Sequence, residues 1–374
     1  MWMKERDTSV LIVGAGVGGT VLAVALRQAG FRVDMVELYD EVLGVGVELL
    51  PNTCRSLEQI GLLPDVVQAG VGYDRMIVHD AKGNFISESI LPQVASPSFP
   101  PAVAITRPAF AQLARKHALG HGARLDLGIS VHELHDTGQA VDVSFTNSRR
   151  ATYDLVIGFD GAQSMMRPLV FGDALKPNPV GLSCFRCFLP RLPGVDQVLS
   201  FHATNRVVLV PLGKDIMYFP LTSVLPPDRR LAEAELSAMV VDLLDDYSAP
   251  IIQKVRSMVS KDSYIVYRPL TELLVPDPWY RGRIIVLGDA AHSFPPHLGM
   301  GAGMAIEDGV VLAEELSLKP IEQALSDFMH RRFDRVEMVW RNAIRICEWD
   351  KEAGNEVEMQ RLTDESFAHL SAAA

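Results

Sequence analysis

The feature that most constrains the fold is a glycine-rich segment near the N-terminus, Gly14-Ala15-Gly16-Val17-Gly18-Gly19. Before it, residues 9–13 form a short apolar run rich in β-branched residues, which predicts a buried parallel strand. After it, residues 19–29 predict a helix with apolar side chains along one side, and residues 31–37 predict a second strand. A strand, a glycine-rich turn, a helix and a second strand form the unit with which doubly wound α/β domains begin.

The spacing Gly-x-Gly-x-x-Gly at this turn predicts a dinucleotide-binding site. Gly14 permits the tight turn, Gly16 lets the backbone approach a pyrophosphate, and Gly19 allows the helix to pack closely on the strand. Val17 and Gly18 lie where the helix begins. Free N–H groups and the positive end of the helix dipole attract phosphate at that point.

Glu37 lies at the predicted end of the second strand, where its carboxylate can accept hydrogen bonds from both hydroxyls of a ribose. The same charge repels a ribose 2′-phosphate. The alternative interpretation is a structural glycine-rich turn followed by a surface glutamate. The glycine motif by itself does not decide between FAD and NAD.

The charge of the chain argues against one class of partner. The 374 residues carry a formal net charge of −11, and no basic stripe accompanies it. An acidic chain of this kind is a poor ligand for a phosphate polymer, so we expect no nucleic-acid partner. Two isolated pairs, Arg229-Arg230 and Arg331-Arg332, are interpreted as solvated helix surface.

The N-terminus mimics a secretory signal, because Lys4 and Arg6 precede an uncharged run at 9–26. A dinucleotide site explains the glycines in that run, so we predict a cytoplasmic protein that is neither exported nor membrane-bound. Among the cysteines, Cys184 and Cys187 have metal-like spacing but no matching second pair. We interpret the thiols as buried in a reducing compartment.

The rest of the chain predicts two domains and a tail. A helix at 108–118, strands at 153–159 and 283–287 and a helix near 301–316 continue the α/β pattern, whereas alternating β-like runs follow residues 73 and 176. We predict a discontinuous dinucleotide-binding domain of residues 1–72, 101–175 and 269–330. A substrate-binding β-sheet domain of residues 73–100 and 176–268 is inserted into it. Residues 331–374 are predicted as a C-terminal helix and a tail that frays.

Two further segments carry a resemblance to a known family. Residues 154–167 read Asp-Leu-Val-Ile-Gly-Phe-Asp-Gly-Ala-Gln-Ser-Met-Met-Arg, and residues 282–308 include Gly-Asp-Ala-Ala-His-Ser-Phe-Pro-Pro-His-Leu-Gly-Met-Gly-Ala-Gly. With the glycine motif, in this order, they resemble the three signatures of the class A flavoprotein monooxygenases, the para-hydroxybenzoate hydroxylase-like family. The resemblance implies an α/β fold in which a Rossmann-like FAD-binding domain contains an inserted β-sheet substrate domain.

The resemblance also assigns cofactor contacts. Asp289 matches the aspartate that binds the ribityl chain of FAD, although a helix N-cap is an alternative role. Gly299, Gly301 and Ala302 match the stretch beside the isoalloxazine ring. Asp160 matches an Asp-Gly motif linked to the binding of FAD and NAD(P)H, and a role in ordering the following turn is the alternative.

Arg107 matches the arginine that reaches the phosphate and ribityl region of FAD. One departure concerns the residue after the ribose-binding glutamate. Many relatives have a basic residue there, whereas this chain has Leu38. We therefore expect one phosphate-side contact to be missing.

Two residues are candidates for catalysis. Glu48 lies in a segment resembling the one that passes the flavin, and some hydroxylases of pyridine substrates have a histidine at this position. A carboxylate in these apolar surroundings predicts a raised pKa and a base for a substrate hydroxyl. His297 follows a Pro-Pro pair, as in salicylate- and hydroxynicotinate-hydroxylase-like members, and can bind an anion or move a proton. For both, a structural role is the alternative. Tyr218 and Arg186 are further candidates for the substrate pocket.

The resemblance implies a monooxygenase that hydroxylates a small aromatic or heteroaromatic substrate. NAD(P)H would reduce FAD, and O2 would form a C4a-hydroperoxide that transfers oxygen to the ring. No second nucleotide-binding glycine motif occurs, so NAD(P)H is expected to dock transiently. The protein is expected to act as a monomer or homodimer. The alternatives are a flavin-dependent oxidase, reductase or epoxidase on this fold, and a non-catalytic FAD-binding protein.

Overall fold

The computed structural model of the protein describes residues 6–40, 44–226, 228–352 and 354–374. Its strands are β1 Ser9–Val13, β2 Arg32–Glu37, β3 Gly46–Leu49, β4 Val71–Tyr73, β5 Arg75–Asp80, β6 Phe85–Ile90, β7 Ala102–Thr106, β8 Arg124–Leu127, β9 Val131–Asp136, β10 Val141–Phe145, β11 Arg150–Tyr153, β12 Leu155–Gly158, β13 Asn178–Pro190, β14 Val198–His202, β15 Arg206–Pro211, β16 Ile216–Val224, β17 Ile265–Leu274, β18 Tyr280–Arg281, β19 Ile284–Val286 and β20 His292–Ser293.

Its helices are α1 Val17–Gln28, α2 Pro51–Gln59, α3 Leu63–Ala69, α4 Arg107–Gly120, α5 Met166–Phe171, α6 Glu233–Leu243, α7 Pro250–Met258, α8 Gly301–Leu318, α9 Ile321–Trp349 and α10 Glu356–Leu370. Two short 3-10 turns lie at Gly288–Ala290 and Pro296–Leu298.

The first layer is a six-stranded sheet in the order β18-β19-β12-β1-β2-β8. Strand β1 is parallel to β2 and β12, and β12 is parallel to β19. Its central strands β1 and β12 are buried, and α1 packs against β2 and against helices α4 and α8. The close approach of α1 and α8 depends on Gly309, where a Cβ would lie 3.2 Å from Leu22. The predicted strand, turn, helix and strand unit is confirmed, as is the α/β fold.

The second large sheet has eight strands in the order β20-β17-β13-β16-β15-β14-β5-β6. Most of them come from the segments 73–100 and 176–268, which the sequence assigns to a substrate domain. Alternation along β13 gives the sheet two different faces. Phe185 and Cys187 are buried with α6 and α7 on one face, whereas Arg186 between them lines a cavity on the other. The domain boundaries themselves stay a prediction.

The prediction that the C-terminus frays is wrong. Helix α10 packs on the rest of the protein, with Met359, Phe367 and Leu370 buried. Arg335 donates a hydrogen bond to the carbonyl oxygen of Leu370 at 2.8 Å. Arg55 likewise donates to the carbonyl oxygen of Ser371 at 2.7 Å. Met359, Leu362, Phe367 and Leu370 share one side of α10 and pack on the core, so the sequence did contain an apolar stripe, which the many polar residues between them obscured.

The interpretation of Arg331-Arg332 as solvated surface is also wrong for its second member. Arg332 is fully buried on α9, where its Nε lies 2.9 Å from Asp308 Oδ1 and its Nη1 lies 2.5 Å from Glu307 Oε2. Arg335 adds a second pair of contacts to Glu307. Burial by itself would raise the pKa of Glu307, but the two guanidinium groups hold it below its usual value. We call these four residues of α8 and α9 the buried ion network.

Two further expectations concern the cysteines and the membrane. All four cysteines are buried free thiols, as predicted. Burial raises the pKa of Cys54 to about 12. No group of three possible metal ligands lies among the described residues. Across the same ranges, no helix combines the length and the apolar character needed to cross a membrane.

Candidate functional site

A cavity of about 880 Å³ extends from the glycine-rich turn to the eight-stranded sheet. Most predicted cofactor-binding residues line it, namely Gly14, Gly16, Val17, Gly18, Glu37, Arg107, Asp160, Asp289, Gly299, Gly301 and Ala302. Both predicted catalytic residues, Glu48 and His297, also line it, as do Arg186 and Tyr218. Gly19 does not. A Cβ on Gly19 would lie 2.0 Å from the carbonyl oxygen of Gly14, so this glycine is needed for packing.

The glycine-rich turn has the geometry of a phosphate cradle. Gly14 has a φ of +107°, and a Cβ there would lie 2.3 Å from the carbonyl oxygen of Phe159. Gly16, in contrast, has open space where a Cβ would be, with no described atom within 4 Å. Among the described residues, no side chain caps the start of α1. The first N–H groups of this helix are therefore free for an anion in the cavity.

Glu37 braces this turn and faces the cavity. One carboxylate oxygen accepts a hydrogen bond from the backbone N–H of Ala15 at 2.9 Å, and the other accepts from Tyr39 at 3.1 Å. Leu38, the residue that departs from the family pattern, is 44% exposed at the same side of the cavity. Glu37 thus keeps acceptor capacity for a ribose, while its neighbour offers no charge.

Arg107 is the first residue of α4, which follows β7 directly. Thr106 caps that helix by accepting a hydrogen bond from the N–H of Ala109 at 3.3 Å. The Arg107 side chain extends past Gly44, where a Cβ would lie 2.7 Å from Arg107 Cδ. A cation at a helix N-terminus is unfavourable by itself, so this position is better suited to binding an anionic ligand.

Asp160 combines the two roles that the sequence leaves open. Its Oδ2 accepts hydrogen bonds from the N–H groups of Met165 at 2.7 Å and Met166 at 2.9 Å, which orders the start of α5. Its Oδ1 is buried and has no protein partner within the described residues. Burial raises the pKa of this carboxyl. An open, buried acceptor in the cavity wall fits a hydroxyl or N–H donor from a bound cofactor.

The third cofactor-binding segment lies where β19 ends. Asp289 sits in the turn Gly288–Ala290, and the N–H of Gly288 donates to Asp308 Oδ2 at 3.0 Å. Gly299 adopts a left-handed conformation with a φ of +66° just before α8 begins at Gly301. The first turn of α8 contains no acidic residue, so its positive end is available to an anionic ring edge in the cavity. These features fit FAD.

Glu48 lies on β3, half-buried, with its exposed part in the cavity. The hydroxyl of Tyr73 donates a hydrogen bond to Glu48 Oε1 at 3.3 Å. Burial raises the pKa of Glu48 to about 7, against the opposing effects of Tyr73 and Arg206. A Cβ added to Gly299 would lie 3.7 Å from Glu48 Oε2. Glu48 is therefore a carboxyl that titrates near neutral pH beside the segment that the family places next to the flavin.

The side chain of His297 exposes no surface. Its Nε2 lies 3.1 Å from Asp350 Oδ2, and its Nδ1 has no partner among the residues described. Burial, followed by the charge of Arg206, lowers the pKa of His297. The imidazole is thus buried within the cavity wall, and its catalytic role stays a prediction.

Sequence reasoning misses three residues of this wall, Arg206, Thr222 and Asp350. Arg206 and Thr222 line the cavity from neighbouring strands β15 and β16. Asp350 follows α9 and accepts a hydrogen bond from Thr222 Oγ1 at 3.0 Å. An apolar β run with one arginine gives no sign of a ligand. Nor does any motif connect residue 206 with residue 350.

Comparison with known proteins agrees with this geometry. Residues 7–343 match the family model described as FAD binding domain. The chain belongs to this family. It is a class A flavoprotein and a FAD-dependent monooxygenase, so the predicted family, cofactor and enzyme class are confirmed.

Three relatives illustrate the likeness. The chain is 29% identical to 3-amino-4-hydroxybenzoate 2-monooxygenase of Streptomyces cremeus, over 92% of this chain and 88% of that protein. It is also 29% identical to FAD-dependent urate hydroxylase of Klebsiella pneumoniae, over 90% and 89%. The crystal structure of Klebsiella pneumoniae HpxO complexed with FAD and uric acid superposes with a TM-score of 0.86 at 24% identity, covering 98% of this chain and 96% of that one. This last likeness concerns the fold.

Proposed function

We propose that the protein uses NAD(P)H and O2 to hydroxylate a small aromatic or heteroaromatic substrate. The observation that carries the proposal is the shared cavity. One part is lined by the residues that fit FAD, and the other is lined by Glu48 and the eight-stranded sheet. The relatives named above act, by their names, on an aminohydroxybenzoate and on urate, both small ring compounds. Their names support a ring substrate here.

FAD would occupy the part of the cavity nearest the glycine-rich turn. The start of α1 would bind the pyrophosphate, Glu37 the ribose, Asp289 the ribityl chain, and the start of α8 the flavin ring edge. When bound, FAD would supply the redox chemistry, with electrons from NAD(P)H and oxygen from O2. With no second glycine motif in the chain, NAD(P)H would dock without its own nucleotide-binding unit.

Glu48 would accept a proton from a hydroxyl or ring N–H of the substrate. Its pKa of about 7 suits a general base near neutral pH. At that pH a large fraction of the carboxyl is ionised, and the carboxylate is basic enough to accept a proton. Deprotonation makes the ring more electron-rich and a better acceptor of oxygen. Apolar side chains of the sheet, including Val198, Val208 and Val266, would enclose the ring and exclude water.

The test is oxidation of NADH and NADPH by the purified, FAD-loaded protein, with and without a panel of hydroxybenzoates, hydroxypyridines and quinolones. We expect one ring compound to stimulate oxidation strongly and to gain one oxygen atom by mass. If the protein carries FAD and no ring compound stimulates oxidation, the proposal is wrong. Stimulation without oxygen gain would indicate an oxidase or reductase instead.

Glu48→Gln tests the role of the base. We expect the stimulated rate to fall at least tenfold and to lose its rise with a midpoint near pH 7. Glu88→Gln is the matched control, since Glu88 pairs with Arg75 on the surface of β6, away from Glu48. An unchanged pH profile in Glu48→Gln would contradict the assignment.

A further inference from the structure

A polar row crosses the cavity side of the eight-stranded sheet. Strand pairing places Thr222 of β16 beside Arg206 of β15, and Arg206 beside His202 of β14. Directly paired residues share one face of a sheet, and all three line the cavity. Asp350 approaches this row from outside the sheet, at the end of α9.

Asp350 is held by this row. Its Oδ2 lies 3.0 Å from Thr222 Oγ1, 3.1 Å from His297 Nε2 and 3.7 Å from Arg206 Nε, and the side chain is 5% exposed. A carboxylate at a helix C-terminus is unfavourable by itself. Burial also opposes its ionisation, yet Arg206 and His297 hold the pKa of Asp350 well below its usual value. The carboxylate is therefore charged and is compensated chiefly by Arg206.

Arg206 is an incompletely used donor. Its Nε is buried without a hydrogen-bond partner, and its guanidinium donates none to the residues described. The side chain is 12% exposed, and the residue lines the cavity. Its N–H groups thus call for an oxygen acceptor from a ligand, because a buried donor left without one is costly.

The other titratable side chains around Arg206 contribute no further positive charge next to it. Burial, followed by the charge of Arg206, lowers the pKa of His202 to about 4, so this imidazole is neutral at pH 7. Glu48 and Glu356 line the same cavity and contribute negative charge. The other cavity-lining cations of this sheet, Arg186 and Arg268, lie two and three strands away from Arg206, with backbones roughly 12 and 14 Å from it at the usual strand spacing.

We propose that Asp350 determines substrate specificity by cancelling the charge of Arg206, so that this wall binds a neutral carbonyl or hydroxyl oxygen of the ring substrate and rejects a carboxylate. The inference rests on the proposed function, since it assigns the class of ring compound to the same cavity. A neutral oxygen still gains the hydrogen bonds of the guanidinium. A carboxylate gains them too, but it also meets the repulsion of Asp350.

The size of the effect follows from Coulomb's law. A ligand carboxylate on the far side of the guanidinium lies about 7 Å from Asp350. With an effective dielectric constant of about 20, removing this repulsion raises carboxylate affinity more than tenfold. The affinity of a neutral analogue changes little.

The test compares 4-hydroxybenzoate with 4-hydroxybenzamide, which have similar shape and differ in charge. The ratio of their dissociation constants is measured from the absorbance change of bound FAD, without NAD(P)H. Asp350→Asn keeps an oxygen for Thr222 and His297 but removes the charge. We expect wild type to favour the amide and Asp350→Asn to shift the ratio more than tenfold toward the carboxylate.

Two further variants complete a charge series. Arg206→Gln leaves the negative charge of Asp350 uncompensated and should shift the ratio away from the carboxylate. The double variant with Asp350→Asn has neither charge and should return the ratio near the wild-type value. If Asp350→Asn fails to fold, the double variant and Arg206→Gln still differ by one buried charge. Glu348→Gln is the matched control, because Glu348 pairs with Lys351 on the surface of the same helix end.

The inference is overturned if wild type prefers the carboxylate, or if a folded Asp350→Asn leaves the ratio unchanged. It is also overturned if wild type binds neither compound and Asp350→Asn gains no carboxylate binding. Because the readout is binding without turnover, it is separate from the proposed function. A protein that shows the charge series and hydroxylates no ring compound refutes the proposed function alone.

Discussion

Arg332 offers the sharpest test of how this fold is held together. It is fully buried and contacts both Glu307 and Asp308 through side-chain nitrogens. Arg332→Met keeps most of the apolar stem and removes the charge. Two carboxylates then lose a buried partner, and breaking a buried pair in this way costs about 3–5 kcal/mol. Because only the arginine is replaced, the apolar methionine side chain recovers little of that loss.

The melting temperature should report this loss. For a chain of 374 residues, an unfolding entropy of about 2.1 cal/mol/K per residue makes 4 kcal/mol equivalent to about 5 °C. The neighbouring Arg331 is the matched control. It pairs with Glu314 and Glu315 while 32% exposed, so Arg331→Met should cost about 1 kcal/mol at most.

The change should also reach the cofactor. Asp308 accepts a hydrogen bond from the N–H of Gly288, the residue before Asp289, and it contacts His292 at 2.6 Å. Loosening Asp308 therefore loosens the turn assigned to the ribityl chain. Thermal unfolding with and without added FAD, together with FAD content after purification, measures both effects. Equal melting temperatures for Arg332→Met and Arg331→Met would refute the reasoning.

Three further predictions concern stability and cofactor binding. Because burial raises the pKa of Glu48 from 4.5 to about 7, wild type loses stability as pH rises between these values. In urea unfolding, Glu48→Gln should gain about 3 kcal/mol over wild type at pH 8 and almost nothing at pH 4, and equal gains at both would contradict this. Gly14→Ala should lower the melting temperature of the FAD-free protein, whereas Gly16→Ala should leave it unchanged. Gly16→Ala should instead weaken FAD binding in fluorescence titrations. Equal melting temperatures for the two variants would argue against the turn geometry. Phe367→Ala should cost about 3 kcal/mol by thermal unfolding, against almost nothing for exposed Val357→Ala, and a silent Phe367→Ala would mean that α10 is not packed.

The cofactor half of the site could be predicted because its residues follow strand ends. Glu37 ends β2, Asp160 follows β12, and Asp289 follows β19. These strands are parallel members of one sheet, so their carboxyl ends meet at the same edge. The sequence pattern locates the strand ends, and the parallel sheet then brings these three distant residues into one cavity.

The substrate wall could not be predicted in this way. Asp350 reaches Arg206 because a long helix crosses from the FAD-binding sheet to the second sheet, and no local pattern encodes that crossing. Arg332 is a different case, since it lies four residues after buried Phe328 and four before buried Val336 on the apolar stripe of α9. The helical period therefore contained the signal that Arg332 is buried, and the adjacent surface Arg331 hid it.

The order of strands in the FAD-binding sheet has a consequence for how the protein forms. Strand β1 ends at residue 13, its neighbour β12 begins at residue 155, and β19 beyond it begins at residue 284. Pairings this distant require closure of long loops, so the contact order is high and folding is correspondingly slow. A nascent chain can form the glycine-rich turn early and place Glu37, assigned to the ribose, beside it. The turn that contains Asp289 is synthesised only after every strand of the second sheet except β20, so the complete cofactor site can assemble only late.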